Sequence, residues 1–249
     1  MKPLDFMIIG AQKSGTTALA SFLDEHMQLE VSDPKEVHLF DDPECFSLDN
    51  ESITGRYRDA FSDEPNLLRG EATPIYLYFP ETAIRLREYN SELKIIVILR
   101  DPVARAYSHY RMEYERGNEW LPYWRALLAE AGRLRNDPDK YAENSSHRRH
   151  SYRDRGCYTD QLLAIYAAFP SRQVLVINHA DLRDSHKETL ARVFEFLGVP
   201  NISITAREVF SGGNGIDEVP FTSWLLRLSY KRERSRLKLL LDFDVSAWS

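Results

Sequence analysis

Cysteine is scarce in this sequence. Cys45 and Cys157 are the only two in 249 residues, too few for a disulfide framework and not spaced as a metal site. Long apolar runs are also missing, so no segment is expected to insert into a bilayer as a spanning helix. Between Met1 and the strand-like run LDFMIIG there is no room for the charged, apolar and cleavage regions of a signal peptide, which points to the cytoplasm. Positive charge is not in excess either. A net charge of −6 opposes a broad nucleic-acid footprint, which needs a basic face. Internal repeats and low-complexity linkers are absent.

What is present is the composition of an ordinary globular protein, 43% hydrophobic and 28% charged, long enough for one sizeable core. A single α/β domain over residues 1–249 is the expectation. Phe6 to Ile9 form a short apolar run ending at Gly10, as a buried strand entering a tight turn does. Leu19, Phe22, Leu23 and Met27 then recur at helical spacing, so residues 6–27 read as strand, glycine loop, helix. LKIIVILRDP at 93–102 repeats the theme. Its β-branched run predicts a central parallel strand, with Asp101 as N-cap and Pro102 as first residue of the next helix. A third unit begins at QVLVIN (173–178) and continues into a helix striped by Leu190, Val193, Phe194 and Leu197 and stopped by Gly198. Strands alternating with helices imply right-handed crossovers, hence a parallel sheet flanked by helices.

Two regions depart from that alternation. Residues 117–155 hold a predicted helix at 120–134 and the basic stretch NSSHRRHSYRDRGCY, an insertion long enough to act as a lid or binding loop. Beyond Pro200 comes VFSGGNGIDEVP, then a 220–249 tail whose KRERSRLK reads as an amphipathic basic helix, its basic face solvated ahead of being set against a membrane surface or a partner.

The stretch GAQKSGTT, residues 10–17, carries the clearest chemistry. A glycine loop between strand and helix offers backbone N–H groups and a positive dipole end to an anion. Gly10 and Gly15 keep the spacing of a nucleotide-binding P-loop, but Thr16 stands where its lysine belongs, and the only lysine is Lys13. The second strand is followed by Arg100 rather than by a metal-binding acid. An arginine there suits a second phosphate, with Ser108 on the following helix as an added donor. A P-loop kinase acting on a small molecule and a non-catalytic nucleotide-binding module are the alternatives, and each must account for these substitutions.

Taken in order, FMIIGAQKSGTTAL, DPKEVHLFD, IIVILRDPVARAYSHY, RGCYTDQL and VINHADL…FEFLGVP resemble sulfotransferases that use 3′-phosphoadenosine 5′-phosphosulfate (PAPS). The resemblance is closest to the branch containing the heparan sulfate sulfotransferase domains and their bacterial relatives, and it covers roughly residues 5–200. It implies a P-loop-like sulfotransferase fold and transfer of a sulfuryl group from PAPS to a hydroxyl, or less readily an amine, without a metal and leaving adenosine 3′,5′-bisphosphate. By position, Gly10, Lys13, Ser14, Gly15, Thr16 and Thr17 would hold the 5′-phosphosulfate. Arg100 and Ser108 would hold the 3′-phosphate, and Tyr158 would contribute to the nucleotide site. Glu36 matches the base that takes the acceptor's proton, its pKa expected to rise by partial desolvation, and His38, titrating nearer neutrality, is the competing candidate.

The chain also departs from the resemblance. Where the heparan branch has a lysine in its EKTP stretch, this sequence has Ala72. The late loop that brings a basic residue over the donor reads FSGGNGIDEVPF and holds none, so either its backbone serves or Arg148, Arg149, Arg153 or Arg155 closes from the other side. These departures argue for a small-molecule, lipid or saccharide-precursor acceptor in place of heparan sulfate itself. Tyr76, Tyr78, Phe79, Tyr114, Trp120 and Trp124 either wall an apolar acceptor pocket or pack in the core.

Overall fold

A computed structural model describes residues 2–207, 220–246 and 248. The chain begins with β1 (Phe6–Gly10), α1 (Thr16–Leu23), β2 (Leu29–Val31), α2 (Asn50–Arg56), β3 (Leu68–Glu71), α3 (Pro80–Tyr89) and β4 (Lys94–Leu99). Four helices follow, α4 (Pro102–Glu115), α5 (Tyr123–Arg135), α6 (Ser146–Arg149) and α7 (Tyr158–Ala168). Then come β5 (Val174–Asn178), α8 (His179–Asp184), α9 (His186–Leu197), α10 (Pro220–Ser229) and α11 (Lys231–Leu237). The chain divides into two compact units, one of residues 1–99 and 161–211, the other of residues 100–160 and 212–249.

The first unit is built on one sheet in the order β2-β3-β1-β4-β5, every neighbouring pair parallel. In KIIVIL of β4 the five residues after Lys94 are all buried, as a strand covered on both faces requires. Beneath the sheet lies an apolar cluster including Phe6, Ile8, Leu19, Phe22, Ile96, Ile98, Leu190, Val193 and Phe194. Helix α9 contributes the predicted stripe and ends as predicted. Gly198 takes the left-handed φ of 82° and donates to the Phe194 and Glu195 carbonyls, closing the last turn. At one sheet edge β2 is only three residues long, and Glu30 pairs with Arg69 of β3 at 2.9 Å.

Two sequence expectations need correction in this unit. Helix α1 stops at Leu23, and Met27 is 89% exposed. His26 Nδ1 accepts the Gln28 N–H there, so the chain turns toward β2 instead of adding a helical turn. The run from His179 to Leu197 is two helices, broken at Ser185, whose φ of −129° is not helical. Ala72 is buried within the apolar cluster, so its side chain faces the core.

The second unit has its own apolar cluster, with Val103, Ala106, Tyr110, Tyr123, Tyr152, Leu226 and Tyr230. Asp101 caps α4 as predicted, accepting the Val103 N–H at 3.0 Å, with Pro102 as first residue. The helix predicted at 120–134 starts at Tyr123 because Pro122 fills its N-cap, leaving Trp120 outside it, 74% exposed. Residues 117–155 are a packed layer rather than a loose flap. Buried Glu119 accepts from the Trp120 and Leu121 N–H groups, from the Tyr152 hydroxyl and from Arg133. The tail forms two helices, not one, and is docked. Buried Glu233 accepts from the Thr159 N–H (2.6 Å) and hydroxyl (2.7 Å) at the start of α7, and the Tyr230 hydroxyl donates to the Arg153 carbonyl.

Candidate active site

The strands of the first unit are parallel, so the segments that follow β1, β2, β3 and β5 all leave the sheet at its carboxyl edge. The chain progresses to opposite sides of β1, through β3 and β2 and through β4 and β5. That is the switch point where open α/β sheets bind ligands.

The loop after β1 is shaped for an anion. A side chain on Gly10 would meet Leu77 at 2.5 Å, and Gly15, the N-cap of α1, has φ 94°, so both positions require glycine. Helix α1 starts at Thr16 with no side-chain cap and no acidic residue in its first turn. Its N–H groups and dipole are therefore not neutralised from within the helix. Ser14 is fully buried, and its hydroxyl has no hydrogen-bond partner, an uncommon state for a buried polar group that a bound oxyanion would relieve. Lys13 sits at φ 69°, the left-handed region that costs a non-glycine residue about 1–3 kcal/mol. The loop residues Gly10, Lys13, Ser14, Gly15, Thr16 and Thr17 thus line one cradle that can receive an anion. His179, the first residue of α8, was not anticipated; its ring lies 3.1 Å from where a Gly15 side chain would begin.

Glu36 and His38 lie on the loop after β2. Lys35 Nζ donates to Glu36 Oε1 at 2.6 Å and to the Ala72 carbonyl at 3.0 Å, tying this loop to the end of β3. His38 Nε2 is 3.6 Å from Glu36 Oε2, and Nδ1 is 3.0 Å from Asp41 Oδ2. His38, like Lys13, is left-handed, with φ 62°. Burial alone would raise Glu36, but its bonds to His38 and Lys35 outweigh that and hold the carboxyl down at about 2. For His38 burial lowers the pKa, yet Asp41 and Glu36 together push it up to about 9. These directions correct the expectations of a desolvated, basic Glu36 and a near-neutral His38, because charge pairing prevails over burial. Asp41, fully buried, is a residue the sequence reading passed over, although the three-residue spacing in HLFD held the signal.

A second overlooked acid, Glu71, ends β3. It is fully buried beside Tyr76 and Tyr57, and burial pushes it up to about 7 despite both phenols.

Arg100, Ser108 and Tyr158 belong to the second unit. Arg100 directly follows β4, and Ser108 is half-buried on α4. The Tyr158 side chain is fully buried, and its hydroxyl donates to the Arg100 carbonyl at 3.0 Å. It therefore braces the backbone that carries Arg100. Two of the four arginines considered for the late-loop role are committed elsewhere. Arg155 is buried and donates to Ser151 Oγ and to the His147 and Arg148 carbonyls, while Arg148 Nε donates to the Tyr141 carbonyl. The late loop, FSGGNGIDEVPF, lies outside the described residues apart from the Pro220 and Phe221 backbone. Among the aromatic candidates, Tyr76, Tyr78 and Phe79 are buried, while Tyr114, Trp120 and Trp124 are exposed.

Comparison with known proteins bears on this arrangement. Residues 3–210 match the profile of the family described as "Sulfotransferase domain". The membrane-associated sulfotransferase kil1 of Dictyostelium discoideum is 36% identical over 117 residues, covering 47% of this chain and 24% of that protein. Heparan sulfate glucosamine 3-O-sulfotransferase 3B1 of Homo sapiens is 28% identical over 200 residues, 79% of this chain and 46% of the relative. The chain thus spans less than half the length of either relative. A crystal structure of a sulfotransferase from Alicyclobacillus acidocaldarius superposes with a TM-score of 0.81 at 26% identity, covering 100% of this chain and 99% of that one. With the profile spanning the glycine cradle, the Glu36–His38–Asp41 loop and the parallel sheet that carries them, the chain belongs to the sulfotransferase domain family.

Proposed function

We propose that the chain transfers a sulfuryl group from PAPS to a hydroxyl of a small-molecule, lipid or saccharide acceptor by in-line displacement. The observation that carries this reading is the cradle after β1, which has a helix end without internal acid, a buried unpaired Ser14 hydroxyl, and its lysine inside the loop. The donor supplies an electrophilic sulfur and a phosphate leaving group. The chain's residues bind it and manage charge. Loop amides and the Ser14, Thr16 and Thr17 hydroxyls bind the 5′ end, and Lys13 stabilises the charge that grows on the departing oxygen. Arg100 and Ser108 are assigned to the 3′-phosphate on the resemblance alone.

At neutral pH Glu36 is an anion and His38 an imidazolium, so Glu36 is the group able to accept a proton. A carboxylate held at about 2 is a weak base. It suffices if it acts late, when the attacking oxygen is already bonding to sulfur and its proton has become strongly acidic. Asp41 and Lys35 keep the loop in place while that proton moves. The name of the human relative specifies sulfation of a hydroxyl in that protein, which supports an oxygen nucleophile here.

Calorimetry with adenosine 3′,5′-bisphosphate and with ATP plus Mg²⁺ tests the donor, and radiolabelled PAPS with a panel of hydroxylated acceptors tests the reaction. Tight binding of the bisphosphate and label transfer are expected. Preferential binding of Mg²⁺–ATP would overturn the reading in favour of a kinase, and bisphosphate binding with no transfer across the panel would favour a binding module.

A further inference from the structure

Among the described residues, eleven large apolar side chains stand exposed, and eight of them belong to the second unit. They include Trp120, Trp124 and Trp224, at 74%, 46% and 52% exposure, three of the four tryptophans in the chain. Between α5 and α10 runs a groove of about 510 Å³ lined by Trp124, Leu127 and Leu128 on one helix and Leu225 and Leu226 on the other, with Arg153 also in its wall. Leu128 and Leu225 project from it, 75% and 47% exposed. Contiguous exposed apolar surface of this kind marks an interaction site.

Charge decides the partner. Residues 100–160 and 212–249 carry 18 Lys and Arg against 15 Asp and Glu, a net +3, while the remainder carries 14 against 23, a net −9. Arginines interleave with the apolar residues. The Arg125 guanidinium lies 5.0 Å from the Trp124 ring centre and that of Arg133 lies 5.9 Å from Trp120, while Arg125, Arg153 and Arg227 are exposed. A twofold contact between two copies would set these arginines against one another. Tryptophan, leucine and arginine together instead match a lipid interface, where rings sit among headgroups, aliphatic chains reach the acyl boundary and guanidinium groups meet phosphates. No helix among the described residues is long and apolar enough to cross a membrane, so the contact is peripheral. We infer that the α5–α10 face docks on the surface of an anionic lipid bilayer, independently of which acceptor the enzyme uses.

The full chain, cosedimented with vesicles of phosphatidylcholine alone and with one third phosphatidylglycerol, tests this. Binding at least about tenfold tighter to the anionic vesicles, weakened by salt and accompanied by a blue shift of tryptophan emission, is expected. Leu128→Ser with Leu225→Ser changes exposed positions, so the circular dichroism stays as in the parent while vesicle affinity falls about tenfold. Arg125→Glu with Arg227→Glu removes the preference for anionic lipid. Absence of binding to either vesicle, or binding untouched by both double variants, would overturn the inference. So would a concentration-dependent dimer in sedimentation velocity that the leucine pair dissolves, since a second copy would then own the face.

Discussion

Two side chains with proposed chemical roles, Lys13 and His38, share an unfavourable backbone: both are non-glycine residues in the left-handed region. Such strain persists where the surroundings fix it, and it concentrates at functional sites. Lys13→Gly is therefore expected to raise stability by roughly 1 kcal/mol while lowering kcat by about 10²–10³-fold, measured by urea unfolding and steady-state transfer. Lys13→Ala is expected to lose activity to the same extent without that gain. At His38 the sign of the pH effect follows from the raised pKa. The stabilisation its protonated form draws from Asp41 and Glu36 is complete below about 6.5 and is lost as pH rises through about 9. Asp41→Asn removes the larger of its two partners, so the imidazole titration followed by NMR is expected to move down from about 9 toward the ordinary value. Glu36 and His38 were legible in KEVHLFD, but their protonation was not. It depends on Lys35 bridging to the Ala72 carbonyl and on Asp41 being sealed from solvent, and neither contact leaves a trace in spacing.

At the scale of elements, the apolar runs and caps were readable because the forces behind them are local. Asp101 and Pro102 start α4, Gly198 ends α9, and a run such as IIVIL can be satisfied only inside a sheet. What escaped reading was set by neighbours distant in sequence. Helix α1 ends early because the chain must turn into a strand that pairs with residues 68–70. Glu71 was invisible as a titrating group because its burial comes from Tyr57 and Tyr76 on separate turns. Its carboxyl, raised to about 7, holds a proton in the folded chain that the unfolded chain releases near 4.5. Stability therefore falls as pH rises between those values, by roughly 3 kcal/mol. Glu71→Gln is expected to flatten that slope and to be the more stable protein above pH 7, checked by urea unfolding at pH 5 and 7.5. Glu130 of α5 is also pushed up to about 7 by burial, but it contributes equally to both proteins and cancels in the comparison.

For the molecule as a whole, each unit carries an apolar cluster of its own, and the tail that reads as a solvated basic helix supplies part of the second. Its basic residues suggested solvent, whereas the anchoring is done by the apolar and acidic residues between them, Leu226, Tyr230 and Glu233. Tyr230 is buried and also crowds Gly156, where any side chain would meet its hydroxyl at 2.3 Å. Tyr230→Ala is expected to cost about 3–5 kcal/mol and to lower Tm by roughly 6–20 °C, read by calorimetry; an unchanged Tm would mean the tail does not support the fold. The short β2 has a consequence for behaviour at high concentration. Its Val31 N–H already donates to Asp24 Oδ1, and Glu30 accepts from the Ser62 N–H as well as from Arg69. A foreign strand approaching that border finds a donor already taken and a carboxylate in its path, so the chain guards itself against templated polymerisation through that side.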